Sequence, residues 1–510
     1  MSLWIFGQTS CRKAENDVQW SSVPRLCTLT DGHGHSSPQF PRVQTTTYKP
    51  NPSKISMKPT DIQLTSVRCS MQQFPNRSLL KFGGRVSRGV CVLLDVVADV
   101  KTRDGRTGRG FGSMRIGSTW SWPSEMTDST QSHETMVRFG EEVVKEANNF
   151  KDFGHPLELM HEFSQCYVPL SEKVAADCQT ESIPRLAQLV AASPFDAAVF
   201  DAYGRVLGQN AYNLLSKEYC NHDLGFYLGD DFKGEYLDQY TLRKPKDRMP
   251  LYHLVGALDP LTPADVTEPL NDGLPEHFGQ WIPYNGLTHI KIKLDCSDLD
   301  WDVNRVLVVN RVCEEEQAKR GCKTWVYSAD FNERCDSVEY VLEFLKRIEE
   351  KSPAAIERLE YIEQPTHRHL RAFPENRMHR AAAIKPVVID ESLVDFESLL
   401  LSREMGYSGI ALKACKGQSE SLLMAAAAQK YKMFLCVQDL TCVGASFLHS
   451  ATLSAMIPTV MGIEGNGRQY TPAANAGWDK KYPSMFVVKD GTLGTGVLDG
   501  VGLGFDWLTS

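Results

Sequence analysis

The side chains of this chain that could do chemistry are lysines and carboxylates, and they stand at the ends of short apolar runs. THIKIKLD carries Lys291 and Lys293, WVYSADFN carries Asp330, EYIEQP carries Glu363, PVVIDES carries Asp390 and Glu391, GIALKAC carries Lys413, and VMGIEGN carries Glu464. An ammonium or a carboxylate taken out of water needs a partner. If these groups share one interior, they are each other's counter-charges or the ligands of an ion.

The elements that would bring them together follow from spacing. The runs recur about every thirty residues between positions 288 and 464, with helix-like stretches at 301–320, 337–358 and 419–432 between them. Strand, helix, strand forces parallel pairing, and repetition of the unit makes a barrel or an open α/β sheet. In a βα barrel the working groups sit where strands end, on one face, so the charges converge. Strand periodicity adds direction. Ile290, Ile292 and Leu294 share one face of their run and Lys291 and Lys293 the other, so with the apolar face on the helices both lysines point inward. Asp330 shares its face with Val326 and Ser328, and Asp390 with Val388; Lys413 follows Gly409 and Ala411 in step. Glu391 has the opposite parity to Asp390 and is expected as a supporting partner, of Lys413. Lys416 is expected beyond its strand end, and His449 as a packed helix residue.

Bulk properties bound the function. The chain has 510 residues, 42% hydrophobic and 23% charged, which is the composition of a globular protein with a large core. A formal net charge of -8 and the lack of a long Lys/Arg run give no basic field for nucleic acid. No run approaches the roughly eighteen apolar residues of a membrane span. The fourteen cysteines are scattered without a C-x-x-C, and Cys91, Cys415 and Cys436 lie in apolar runs; this reads as reduced thiols in a cytoplasmic protein.

Residues 1–60 are rich in Ser, Thr, Pro, Gln and His, show no sustained periodicity and read as a flexible tail; His33 and His35 in DGHGH lack the further partners a metal site needs. Residues 61–245 read as an α+β domain, with a strand from Asp61, a hairpin turning at Asp104-Gly105, and helices at 133–148 and 183–207. The barrel is expected over 249–468, interrupted by a Pro- and Gly-rich insertion at 259–286, and a C-terminal segment at 469–510 is expected to return to the first domain. Loops at 76–89 and 117–125 are placed to cover the barrel mouth. In the second, Trp120 and Trp122 beside Pro123 would form a stiff apolar lid, with Trp120 against the substrate.

Residues 61–507 resemble the enolase superfamily, and within it the mandelate racemase/muconate lactonizing enzyme family, in the muconate-lactonizing-enzyme-like group. The resemblance rests on the ordered set of Lys291-Ile-Lys293, the Asp of ADFN, the Glu of EQP, IDES and the lysine of the sixth strand. The stretches SPFDAAVFDAYGRVLGQNAYNLL and DGVGLGFDW add to it. It implies an α+β cap over a modified TIM barrel, (β/α)7β, with Mg2+, or Mn2+ in its place, held by Asp330, Glu363 and Asp390. Such an ion prefers hard oxygen ligands. It also implies an isomerase or lyase that removes the α-proton of a small-molecule carboxylate through an enediolate, as racemase, epimerase, cycloisomerase or dehydratase. Lys293 and Lys413 would be the bases on the two faces, Lys291 would lower the base's pKa, Glu464 would be an acid near the substrate, and Glu391 would support substrate binding. A homo-oligomer is expected, with no nucleic-acid or membrane partner. Two departures bear on substrate: VQDLTC offers no His on the seventh strand, and Glu464-Gly465-Asn466 replaces the Asp-x-Asp of dipeptide epimerases.

Other classes remain open at this stage. A Schiff-base aldolase could use Lys293 or Lys413, a glycosidase could pair Glu363 with Asp439, and a non-catalytic barrel could keep the charges as a structural network.

Overall fold

The computed structural model describes residues 57–82, 85–86 and 89–507; His33 and His35 lie outside them. Three antiparallel strands open the described chain: β1 (Ile62–Pro75), β2 (Val90–Thr102) and β3 (Thr107–Arg115), in that order across the sheet. The β2–β3 turn contains Gly105 at φ +92°, a left-handed conformation that glycine takes without strain. Helices α1 (Ser129–Ala147), α2 (Pro156–Phe163), α3 (Tyr167–Cys178) and α4 (Arg185–Leu207) complete this region. The sequence reading had the first and last of these and missed the middle two.

Helix α4 is buried along nearly its whole length and lies on β3. Gly108, Gly110 and Gly112 make the approach possible, because their alternation puts all three on one face of the strand. A Cβ on Gly110 would stand 2.1 Å from Ala202 N, and one on Gly112 would stand 2.0 Å from Pro194 O. At the end of the same helix, buried Asp201 accepts hydrogen bonds from Phe111 N at 3.0 Å, Leu503 N at 2.9 Å and Trp507 Nε1 at 2.7 Å. The C-terminal residues are thereby fastened to the cap sheet.

Eight parallel strands form a closed barrel: β4 (Met249–Val255), β5 (His289–Lys293), β6 (Val326–Asp330), β7 (Leu359–Glu363), β8 (Val387–Ile389), β9 (Gly409–Leu412), β10 (Phe434–Val437) and β11 (Ile463–Glu464). Closure is made by Ile463 pairing with Leu251 and Glu464 with Tyr252. A short strand, β12 (Thr492–Leu493), adds to β4 antiparallel at its start. The fold is therefore a TIM-type barrel with an N-terminal antiparallel domain, as the resemblance implied, and not the open sheet that spacing alone also allowed. Two helices differ from expectation. The stretch read as 337–358 breaks into Val338–Lys351 and Pro353–Arg358, because Pro353 cannot donate the backbone bond that would continue the first helix. The insertion read as irregular contains α5 (Phe278–Asn285), which keeps Pro283 inside it and ends at Gly286 with φ +67°. Among the described residues no helix is long and apolar enough to cross a membrane.

Candidate active site at the carboxyl end of the barrel

Side chains at the strand ends meet inside the barrel mouth. Lys293, Asp330 and Glu363 pair in register across β5, β6 and β7, so they stand side by side on neighbouring strands; Asp390 follows one position beyond β8. Lys291 and Lys293 point inward, 1% and 5% exposed. Lys291 Nζ lies 2.9 Å from Asp330 Oδ2, 2.9 Å from Glu363 Oε2 and 2.8 Å from Glu464 Oε2. One ammonium thus gathers three carboxylates from three strands. Lys293 Nζ donates to Asp330 Oδ2 and, at 3.0 Å, to Asn332 Oδ1. Across the barrel, Lys413 Nζ lies 2.9 Å from Asp390 Oδ2 and 4.4 Å from the centre of the Trp120 ring.

Electrostatics follow from burial and crowding. Lys291 is desolvated, which favours the neutral amine, yet Asp330, Glu363 and Glu464 overcome this and hold it strongly as an ammonium. Lys413 is likewise desolvated but raised above the ordinary lysine value by Asp390. At Lys413 the carboxylate of Asp390 outweighs the ammonium of Lys291. The Glu363 carboxyl is raised well above the ordinary range, through burial first and then the like charges of Asp330 and Asp390. Burial and Asp390 push Glu391 up to about 7.

Several placements differ from the sequence reading. Glu391 does not pair with Lys413. Its Oε1 accepts from Trp120 Nε1 at 3.0 Å and from Asn332 Nδ2 at 3.1 Å, because its parity carries it away from the sixth-strand lysine toward the cap loop. Trp120 does cover the mouth; Trp122 does not join it, and instead is buried with Nε1 donating to Glu181 Oε1 at 2.9 Å. Lys416 lies beyond its strand, but its side chain returns inward to Asp390 Oδ1 at 3.2 Å. His449 is packed in a helix, with Nε2 2.8 Å from Gln418 Oε1.

Sequence reasoning missed the amides and the strap. Gln438 Nε2 donates to Glu363. Gln364 Oε1 accepts from the backbone of Asp390 at 2.9 Å and of Ser392 at 3.1 Å, which locks the loop carrying Asp390 to the loop after Glu363. Asn332 at φ +44° and Gln364 at φ +30° are buried in strained backbone, held by these bonds. Arg368 grips Glu333 through both carboxylate oxygens and donates to Trp120 O at 3.0 Å, so the loop after β7 fastens the cap loop over the mouth. An amide two residues after Asp330 in DFN and one directly after Glu363 in EQP were the signals available for Asn332 and Gln364.

The donor chemistry of Asp330, Glu363 and Asp390 suits a hard divalent cation: three buried carboxylates end adjacent strands, and a cation would relieve the crowding that keeps Glu363 from ionising. As they stand, these oxygens face ammonium groups, and among the described residues no three His, Cys, Asp or Glu side chains form a ready cage. Binding would therefore be an exchange with Lys291.

The family profile described as "Enolase C-terminal domain-like" matches residues 275–509. No curated protein sequence matches the chain. Among solved structures, the fold is similar to a muconate lactonizing enzyme from Pseudomonas fluorescens complexed with muconolactone, at 18% identity and TM-score 0.54, over 87% of this chain and 96% of that one. It is similar also to a dipeptide epimerase from Enterococcus faecalis V583 complexed with Mg and L-Leu-L-Tyr, at 13% identity and TM-score 0.56, over 87% and 99%. A third is an N-succinyl Arg/Lys racemase from Bacillus cereus, at 14% identity and TM-score 0.53, over 80% and 88%. Over residues 275–509 the chain is similar to the enolase C-terminal domain-like family, and its fold is that of these solved structures.

Proposed function

We propose that this protein is an enzyme that removes the proton α to the carboxylate of a small-molecule substrate, as an isomerase or lyase assisted by a divalent cation. The observation that carries the reading is the placement of Lys293 and Lys413. They end the second and sixth of eight barrel strands, four apart and so on opposite sides of the barrel, with Asp330, Glu363 and Asp390 on the three strands between them. Such an arrangement presents an amine to each face of a planar intermediate.

Asp330, Glu363 and Asp390 are the residues that would hold Mg2+ or Mn2+, and such an ion supplies fixed positive charge against which an α-proton becomes removable. Lys293 is positioned by Asn332, whose Nδ2 is in turn held by Glu391. Lys413 sits beneath Trp120, which excludes water from that side and stabilises an ammonium through its ring face. Asp390 is the carboxylate that keeps Lys413 protonated, and a cation held by Asp390 would take up that charge and free Lys413 to exchange a proton with substrate. Lys291 remains an ammonium and places positive charge beside Glu363 and Glu464. Glu464 serves as its counter-ion, with the second oxygen held by Asn466 Nδ2 at 2.9 Å.

Support also comes from the named relatives, which are a lactonizing enzyme, an epimerase and a racemase, one of them complexed with Mg. The test is incubation in deuterated water with a library of carboxylic acids, with Mg2+ and after exhaustive chelation. Metal-dependent exchange at an α-carbon supports the proposal, and exchange that survives chelation unchanged contradicts it.

A further inference from the structure

Outside the mouth, the cap meets the barrel a second time where α2 and α4 lie against the helix Gln418–Lys430, which follows β9. A cavity of about 60 Å3 is left in that contact. At roughly 10–15 Å3 for each water-sized position, it holds about five non-hydrogen atoms. Leu157, Met160, Leu189 and Leu423 give it apolar walls. Of the lysines and carboxylates at the mouth, only Lys416 lines it.

Charge decides what would fill the space. Four ionic side chains line it, and two are already engaged. Lys416 turns its ammonium to Asp390 Oδ1 at 3.2 Å, and Asp196 accepts from Ser419 N and Ser419 Oγ, both at 2.9 Å. The remaining pair is Arg185 and Glu420. Arg185 opens α4, with Nη1 donating to Gln188 Oε1 at 3.3 Å and its guanidinium carbon 5.5 Å from the centre of the Tyr167 ring, which leaves its other N–H groups for a ligand. Among the described residues Glu420 accepts no hydrogen bond, and neither it nor Arg185 makes an ion pair. The Glu420 carboxyl is pushed up to about 8, through burial first and then the like charge of Asp395, which the charge of Arg185 does not reverse. His161 also lines the cavity, but burial lowers its pKa and leaves the ring uncharged at neutral pH. A purely anionic ligand would leave Glu420 without a donor, and a purely cationic one would face Arg185. Two groups of opposite character across one small space fit a ligand that carries both charges.

We infer that this cavity binds a small zwitterionic amino acid, of the size of glycine or alanine, with its carboxylate on Arg185 and its ammonium on Glu420. The inference does not depend on the proposed reaction.

The test is calorimetric titration of the full chain with glycine, and with acetate and methylammonium as its two halves, in two buffers of different ionisation enthalpy. Glycine binds at one site at least about tenfold more tightly than either half, because each half leaves one polar group unpaired. Glu420 is mostly protonated at pH 7 in the empty site, and an ammonium beside it ionises it. Binding therefore releases a proton, read as a heat that depends on the buffer. Glu420→Gln and Arg185→Met, which break no ion pair, each weaken glycine at least about tenfold, and Glu420→Gln also removes the buffer dependence. Lys293→Ala, in the mouth, leaves glycine binding unchanged. The inference is overturned if glycine shows no saturable binding, if either half binds as tightly, or if the heat is the same in both buffers. It is overturned also if the two cavity variants bind glycine as the parent does, or if Lys293→Ala abolishes that binding.

Discussion

The barrel interior has two layers built on the same strands, and they obey opposite rules. Tyr252, Tyr361, Val388, Ala411 and Cys436 pack into one apolar cluster. Two residues further along the same inward faces stand Leu254, Glu363, Asp390, Lys413 and Gln438. One pleat separates a plug whose only task is to fill space from a layer in which nearly every group carries charge or an amide. The lower layer fixes the barrel, and the upper layer has to be held in place by it, since a cluster of buried ions gains little net stability from its own attraction.

Variants should separate the layers, the largest effects coming first. Asp330→Asn, Glu363→Gln and Asp390→Asn each abolish metal-dependent α-proton exchange, yet the chain stays folded at ambient temperature, as chemistry in the upper layer requires. Unfolding of any of these variants at ambient temperature would show that the layer is structural. Lys291→Met leaves three carboxylates without their shared cation and costs roughly 3–5 kcal/mol, the scale for breaking a buried ion pair. Tyr361→Ala in the lower layer costs about as much through cavity formation. Denaturant titration distinguishes the two, because added Mg2+ restores stability to Lys291→Met by occupying the carboxylates and does nothing for Tyr361→Ala.

Much of the upper layer was legible in the sequence because period-2 alternation forces inward direction once the strands are known: Lys291 and Lys293 could point nowhere else. What parity could not supply was reach. Lys416 begins outside its strand, and only a long flexible side chain brings its ammonium back to Asp390. Glu391 was given Lys413 as partner from its strand parity, whereas its actual partners, Trp120 and Asn332, are 271 and 59 residues away. The insertion was misread for a related reason. Proline and glycine hid α5, whose stability comes from packing Phe278 and Trp281 against the barrel wall rather than from local propensity.

The cap offers a smaller contrast, since there the chain approaches itself through absence of side chains. Gly110→Ala places a methyl group against the backbone of α4 and destabilises by about 1–3 kcal/mol, measured by denaturant unfolding. An unchanged midpoint would show that helix and sheet can part freely.

The last effect, confined to acid, is a pH dependence. His155 is fully buried at the start of α2, with Nδ1 accepting from Leu157 N at 3.2 Å and Nε2 bonded to Leu214 O at 2.9 Å, a pattern that requires the neutral ring. Burial holds its pKa at about 3, against 6.5 when unfolded. The unfolded chain therefore takes up the proton first. The stability this histidine gives is complete above about pH 6.5 and is lost as pH falls toward 3, by at most about 1.4 kcal/mol per pH unit. In His155→Gln the fall of stability across that window should be shallower than in the parent; an identical slope would assign the dependence to other groups.

The most direct test of the two-lysine arrangement follows deuterium incorporation from solvent into each separated enantiomer of an active substrate, using Lys293→Ala and Lys413→Ala. Because the lysines stand on opposite sides of the barrel, each reaches the α-proton of one configuration. For a racemase or epimerase, Lys293→Ala stops exchange from one enantiomer and Lys413→Ala from the other; for a one-way reaction only one of the two abolishes exchange. If both variants exchange both enantiomers at the parent rate, neither lysine is a base and the account is wrong.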